Sequence, residues 1–303
     1  SSTGVGAGDD SKIGETRAPK RQPTIRDLMR HTAGLTYGIF GNTEVDKMYR
    51  EAGLLGEGTI EDFVAKLGQI PLQYEPGTRW HYSVGVDVQG RLVEVLSGMS
   101  FGEFLKQRIF DPLEMEDTSF IVPDQKWDRF AKLYAPKGTA AGLNKVWQTN
   151  TSTALEPAAD AVSQGYREGS TFESGGGGLA STAEDYMRFS LMLLNGGELN
   201  GARLLSPKTI ELMSTNHLGD MGMGWGRTGW GFGLGFGVQL NPGDSGETGS
   251  AGEYNWGGAA GTRFWIDPQE QLIGLFMVQS LPHQTRLADQ FKVLTYQAIT
   301  ELE

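Results

Sequence analysis

The stretch that decides the fold is YNWGGAAGTRFWIDP, at residues 254–268. Apolar and aromatic residues in 253–256 and 261–266 flank a run of glycine and alanine. This pattern predicts two antiparallel strands joined by a tight connection. Asp267-Pro268-Gln269-Glu270 then has the composition of a turn, and it predicts a hairpin with a further strand over 271–279.

Before about residue 215, the sequence mainly predicts helices and long loops. Residues 229–240 indicate one more strand, and a final helix is predicted over about 284–302. The upstream helices are predicted from their N-caps and apolar faces: Thr24 through Met29, ending near a left-handed Gly34; 60–68 after Thr59; 86–96; Ser100 to Phe110; 182–195 with a Ser181–Glu184 capping box; and one after Ser206.

Helices followed by antiparallel strands and a terminal helix predict an α+β protein. We expect a flexible arm at 1–23, a mainly helical lobe at 24–205, and a sheet with its C-terminal helix at 206–303 that forms one compact unit with the helical lobe. A sheet of three or so strands is small for 303 residues. The sheet is therefore expected to be incomplete in this chain.

Composition narrows the classes of function. The formal charge of −11 and the pI near 4.9 disfavour nucleic acid as a partner, because lysines and arginines are scattered. No apolar run is long enough to predict a membrane span. The chain has no cysteine, and its four histidines lack metal-ligand spacing, so no metal or cofactor is predicted. The compartment, cytoplasm or periplasm, stays open.

Two serine-centred patterns have simpler explanations than catalysis. Gly98-Met99-Ser100-Phe101-Gly102 matches GxSxG, but a helix leads into it and Ser100 is a good N-cap for the next helix. Gly243-Asp244-Ser245-Gly246 lies in a stretch whose composition is that of a loop. Neither serine is predicted as a nucleophile.

Several other motifs together resemble a known family. They are TIRDLMRHTAGL at 24–35, PGTRWHYSVGVDVQGRLVEVLSG at 76–98, FDPLEMEDTSF at 110–120, SGGGGLASTAEDYMRF at 174–189 and the stretch at 254–268. In this order they resemble the esterase branch of the serine β-lactamase and penicillin-binding protein family. The resemblance implies the β-lactamase/transpeptidase-like fold and a serine hydrolase that acts on small-molecule carboxylic esters through an acyl-enzyme.

The resemblance also implies roles for residues of two motifs. Tyr82 matches the tyrosine that acts as general base, and Trp256-Gly257-Gly258 matches the strand motif beside the oxyanion hole. Bare glycines let a substrate carbonyl approach the backbone, so the Ala259 N–H is the candidate oxyanion donor. The alternatives are a hydrogen-bonded core tyrosine and a plain β-bulge.

The family's Ser-x-x-Lys nucleophile motif is absent. None of the eleven lysines has a serine three residues before it. We therefore hypothesise that the nucleophile and the first strands of the sheet belong to an upstream segment, either joined to this chain or a separate N-terminal fragment, and that this chain alone is inactive. A pseudoenzyme of the same fold that binds ligands is one alternative, and a binding module that uses the glycine-rich residues 222–262 is another.

Departures from the family pattern bear on the substrate. Trp256 stands where β-lactamases of this fold carry a cation, and Val84 stands where the second motif usually has asparagine. Both changes remove groups that would hold a charged or acylamide substrate. They favour short-chain, uncharged esters, with Trp80, Trp256 and Phe264 as possible walls of an apolar pocket. A β-lactamase or a D-amino-acid peptidase is the further alternative.

Overall fold

The computed structural model describes residues 5–6, 16–55, 58–138, 154–158, 163–167, 169–283 and 285–301. Its α-helices are α1 (Ile25–Met29), α2 (Glu44–Glu51), α3 (Ile60–Leu67), α4 (Gly85–Ser97), α5 (Phe101–Leu105), α6 (Ala183–Leu194), α7 (Pro207–Met213), α8 (Pro242–Ser245) and α9 (Leu287–Gln297). Its strands are β1 (Val5–Gly6), β2 (Thr16–Arg17), β3 (Tyr134–Pro136), β4 (Leu155–Pro157), β5 (Glu198–Leu199), β6 (Ala202–Arg203), β7 (Trp230–Phe232), β8 (Gly237–Gln239), β9 (Tyr254–Gly257), β10 (Arg263–Asp267) and β11 (Leu272–Phe276).

A five-stranded antiparallel sheet with the order β11-β10-β9-β8-β7 forms the second half of the described chain. The predicted α+β architecture, with helices beside an antiparallel sheet, is confirmed. The prediction of a single strand over 229–240 is wrong, because β7 and β8 pair with each other as a hairpin. Alternate glycines at 231, 233, 235 and 237 concealed the turn, and Gly235 adopts a φ of 103° there.

The two faces of the sheet pack against different helices. Phe264 of β10 lies opposite Trp256 of β9, and both belong to a core cluster that also contains Met192 and Leu193 of α6. Trp265 points the other way, and its ring meets Phe291 of α9 with centroids 5.7 Å apart. This alternation places the sheet between the helices of the first half and the C-terminal helix.

Most of the predicted helices occur, and their caps explain where they begin. Thr24, Thr59 and Ser100 each accept a hydrogen bond from the N3 backbone in a complete capping box. Helix α6 is a correction, because its N-cap is Thr182 bonded to Asp185 N, whereas the Ser181 hydroxyl bonds to Thr118. Helix α2, with its capping box of Thr43 and Asp46, was not predicted.

Residues 16–23 of the predicted arm contact the body of the protein. Arg17 is ion-paired with Glu75, and both Arg21 guanidinium nitrogens reach the buried Asp27 carboxylate, at 2.6 and 3.0 Å. Residues 1–4 and 7–15 of the arm lie outside the described residues. Within the described residues, the helices are too short or too polar to cross a bilayer.

Candidate active site

Tyr82 and Trp256 meet between the helical half and the sheet. Tyr82 lies just before α4, and the indole Nε1–H of Trp256 on β9 donates to the Tyr82 hydroxyl at 3.3 Å. The two ring centroids are 5.3 Å apart. The structure therefore brings together two of the motifs that carry the resemblance to the esterase branch.

The backbone around Tyr82 is fixed by a neighbouring segment. His81 N–H donates to the carbonyl of His31 at 2.8 Å, and Val84 N–H donates to that of Thr36. Between them Ser83 N–H donates to Nδ1 of His31 at 3.3 Å. Because these bonds run from 81 to 84 in succession, the direction of the Tyr82 side chain is set before any substrate binds.

The His31 imidazole lies under the Tyr82 ring and is buried, with 3% of its surface exposed. Its ring meets the Tyr82 ring edge-on at a centroid distance of 4.7 Å. Burial first, and the charge of His81 second, lower the pKa of His31 to about 3. His31 is therefore neutral at physiological pH, and Nδ1 acts as an acceptor for the Ser83 N–H.

Among the described residues, six aromatic rings approach the Tyr82 ring with centroids within 6.2 Å. They are His31, Tyr37, Phe40, Trp80, Trp225 and Trp256. Trp80 is buried and nearly parallel to the phenol ring, at an angle of 14°. The Tyr82 phenol is thus surrounded by a cluster of aromatic rings, with its hydroxyl as a polar group among them.

Burial is the largest influence on the pKa of Tyr82, and it raises the value. Hydrogen bonds with Trp256 and Tyr37 oppose this rise, and the charge of Asp87 adds to it. Burial first, then the charges of Tyr82 and Asp87 and a hydrogen bond with Tyr82, raise the pKa of Tyr37. No cation of the described residues offsets the burial of Tyr82, so its phenol is neutral at physiological pH.

Asp87 lies behind Tyr37 and Tyr82 and is fully buried. Its Oδ1 accepts from the Ser174 hydroxyl at 2.6 Å and from Gly176 N–H at 3.2 Å, while its Oδ2 has no hydrogen-bond partner. Burial raises the pKa of Asp87, against the lowering effect of Ser174 and Gly176. This carboxyl ties the glycine run at 174–178 to α4 beneath the site.

The three residues after Trp256 carry no side chain larger than a methyl group. Gly257, Gly258 and Ala259 are exposed, and a Cβ added at Gly258 would come within 2.3 Å of the Thr262 hydroxyl. Gly258 N–H donates to Thr262 O at 2.8 Å, whereas Ala259 N–H makes no backbone hydrogen bond within the described residues. An accessible strand end with an unused N–H is the geometry that an oxyanion donor requires.

Other predicted site residues lie elsewhere. Val84 is fully buried in the core of the helical half, and Phe264 is buried against Tyr186 and Phe236. Neither reaches the surface beside Tyr82. Trp80 does contact Tyr82, but it is buried in a cluster with Trp230 and Phe232 and exposes only 5% of its surface.

The residues that sequence reasoning missed come from two loops. Tyr37 and Phe40 follow the HTAGL motif, and Trp225 lies in the glycine-rich residues 222–229. The glycine content of 222–237 was a usable signal, since such stretches let backbone approach a site closely. No local pattern indicates that Trp225 would reach Tyr82. Among the described residues, no group of His, Asp or Glu side chains could hold a metal ion.

Comparison with known proteins decides the family. The profile of the beta-lactamase family matches residues 13–297. The chain belongs to the beta-lactamase family. Its relatives in this family include Protein Rv1367c of Mycobacterium tuberculosis, which is 31% identical over 89% of this chain and 65% of its own length. Esterase EstB of Burkholderia gladioli is 27% identical over 80% of this chain and 61% of its own length.

The fold is also that of solved beta-lactamase-like structures. The structure described as EstCE1, a hydrolase with promiscuous acyltransferase activity, superimposes with a TM-score of 0.74 at 24% sequence identity. The match covers 90% of this chain and 72% of EstCE1. The chain spans less than two thirds of the length of the curated relatives that it matches, Rv1367c and EstB.

Proposed function

We propose that this chain provides the general base and part of the oxyanion hole of a serine hydrolase that acts on uncharged carboxylic esters. The single observation that carries the proposal is the contact between the Tyr82 hydroxyl and Trp256 Nε1, directly beside the exposed backbone of 257–259. The relative named Esterase EstB supports the ester as substrate class.

In the proposed reaction Tyr82 accepts the proton of a serine hydroxyl as that oxygen attacks the ester carbonyl. The carbonyl oxygen becomes an oxyanion, which Ala259 N–H stabilises. Collapse expels the alcohol, to which Tyr82 returns the proton, and leaves an acyl-enzyme. Water then repeats the sequence and releases the acid.

The serine itself is proposed to come from a Ser-x-x-Lys segment, a motif that this chain does not contain. Such a segment supplies an ammonium group as well as the nucleophile. An ammonium close to the phenol favours its anion and lowers a pKa that burial has raised. The proposed active site thus lies between the helical residues 24–205, the sheet of 206–303, and that segment.

A second candidate, a ligand-binding member of the same fold without hydrolytic activity, rests on a specific observation. The chain lacks Ser-x-x-Lys, and the hydroxyl of Ser83, next to Tyr82 in the sequence, is buried 3.4 Å from His31 Nδ1. That hydroxyl is not available for attack. Assays with and without a supplied nucleophile segment distinguish this candidate from the hydrolase.

The test is hydrolysis of 4-nitrophenyl butyrate by the chain alone and with the segment encoded upstream of it, fused or added in trans. We expect activity only with that segment, and Tyr82→Phe should lower kcat by about 10²- to 10⁴-fold, the usual contribution of a general base. Tyr186→Phe is the matched control, because Tyr186 is also largely enclosed but packs against Phe264 in the core. Undiminished hydrolysis by Tyr82→Phe would refute the proposed role, and no hydrolysis by any combination would favour the binding protein.

A further inference from the structure

Trp225 combines three features that packing alone does not explain. It leaves 54% of its surface exposed, more than any other aromatic side chain named among the exposed hydrophobic residues of the described chain. Its φ is 64°, a left-handed conformation that a bulky residue rarely adopts. Its ring nevertheless reaches Tyr82, with centroids 5.5 Å apart.

The loop that carries Trp225 bends on both sides of it and packs against Trp80. Gly222 and Gly226 have φ values of 68° and 67°, so the chain turns sharply before and after the tryptophan. Gly224 lies so close to the buried Trp80 that an added Cβ would be 3.0 Å from its ring. The strained backbone is therefore held in place by its contacts with the floor of the site.

Phe40, in the helical half, lies beside Trp225, and these two side chains form an aromatic wall of the site. Its ring centroid lies 5.9 Å from that of Trp225 and 5.6 Å from that of Tyr82, so the three rings form a triangle. The nearby cation of this loop, the Arg227 guanidinium, already has partners, because it lies over the Trp230 ring and donates to Glu247. The wall thus offers aromatic surface and no cation for a substrate carboxylate.

We propose that Trp225, with Phe40, is the specificity-determining wall of the Tyr82 site and selects esters with a flat apolar acyl or alcohol group, above all an aryl group. A flat ring placed against the half-exposed indole covers apolar surface at little cost in conformational entropy. This inference rests on the proposed function, since it names the substrate class of the same site.

The test measures binding, so it requires neither a nucleophile nor turnover. The chain is labelled with 5-fluorotryptophan and titrated with phenyl butyrate and, separately, with butyl butyrate. Among the resonances of the seven tryptophans, that of Trp225 is assigned by its loss in Trp225→Phe. We expect phenyl butyrate to shift the Trp225 resonance saturably and to bind about tenfold more tightly than butyl butyrate, a typical gain for a well-placed apolar group.

Three variants make the outcome specific. Trp225→Asn tolerates a left-handed backbone but removes the ring, and it should bring the affinity for the phenyl ester down to that for the butyl ester. Trp225→Phe should retain most of the preference, and Leu212→Ala, at an exposed leucine of α7, should leave it unchanged.

Equal affinities for the two esters, no binding of either, or unchanged binding in Trp225→Asn would each overturn the inference. If phenyl butyrate binds as expected while hydrolysis does not depend on Tyr82, the proposed catalytic role fails and the binding wall stands.

Discussion

At the residue scale, the buried imidazole of His31 has a consequence for stability. Its pKa is about 3 in the folded protein and 6.5 as the ordinary value, so the unfolded chain binds one more proton between these two pH values. The free energy of unfolding therefore falls as the pH drops below 6.5 and continues to fall until about pH 3. Raising the pH above 6.5 brings no further gain from this group.

His31→Asn is expected to remove this dependence, because asparagine is neutral and tolerates the φ of 55° at position 31. Between pH 7.5 and 5.5 the wild-type chain should lose about 1 kcal/mol more stability than the variant. Urea unfolding at the two pH values measures the difference. His81, whose pKa burial also lowers, is present in both proteins and does not account for it. Parallel pH profiles would show that His31 becomes protonated without unfolding.

Tyr82 and Trp256 could be proposed as a site from the sequence because each lies in a recognisable motif. Trp225 could not, since its role depends on a loop whose backbone has a positive φ at four positions, 222, 225, 226 and 229. Val84, predicted at a substrate-binding position, and Phe264, predicted as a wall of the pocket, are instead buried in the core. Motif position does not reveal which side of a helix or strand faces the cleft, and both side chains point into the core.

At the element scale, one buried ion pair joins α9 to the sheet. Lys292 Nζ lies 2.7 Å from Glu253 Oε1, and their side chains are 3% and 0% exposed. The Tyr296 hydroxyl lies within hydrogen-bonding distance of both Glu253 and Asp267, at 3.0 and 2.8 Å. Burial raises the pKa of Glu253, and Lys292 is the largest influence that lowers it.

Lys292→Met should therefore destabilise the chain by about 3–5 kcal/mol, because it leaves a buried carboxylate without its cation. Adding Glu253→Gln to Lys292→Met should recover much of the loss. Lys208→Met is the control, because Lys208 and Glu211 form an ion pair on the exposed surface. Such pairs contribute about 0–1 kcal/mol to the free energy of unfolding. Urea unfolding curves of the four proteins check this, and a Lys292→Met variant as stable as Lys208→Met would contradict it.

Elements were predictable where a cap and an apolar period coincide, as at Thr24, Thr59 and Ser206. Helix α2 has a capping box and apolar residues at helical spacing, Val45, Met48 and Tyr49, so the sequence carried a helix signal that the prediction missed. The β7–β8 hairpin was taken for one strand because glycine occupies every second position through its turn.

At the scale of the whole molecule, the candidate site lies where the two halves meet. The helical half contributes His31, Tyr37, Phe40 and Tyr82, and the sheet half contributes Trp225 and Trp256. The order of elements was enough to predict the α+β class, but the cluster of aromatic rings around Tyr82 depends on contacts across the halves. The division into an arm, a helical lobe and a sheet unit remains a prediction.

The most direct test of the account is a crystal structure of the adduct between a 4-nitrophenyl alkylphosphonate and the protein joined to its nucleophile segment. The proposed mechanism predicts a phosphorus atom bonded to the serine of Ser-x-x-Lys, with one phosphonyl oxygen about 2.7–3.1 Å from Ala259 N. The Tyr82 hydroxyl should lie within hydrogen-bonding reach of the esterified serine oxygen. An adduct on any hydroxyl remote from Tyr82 and the 257–259 backbone would contradict the account.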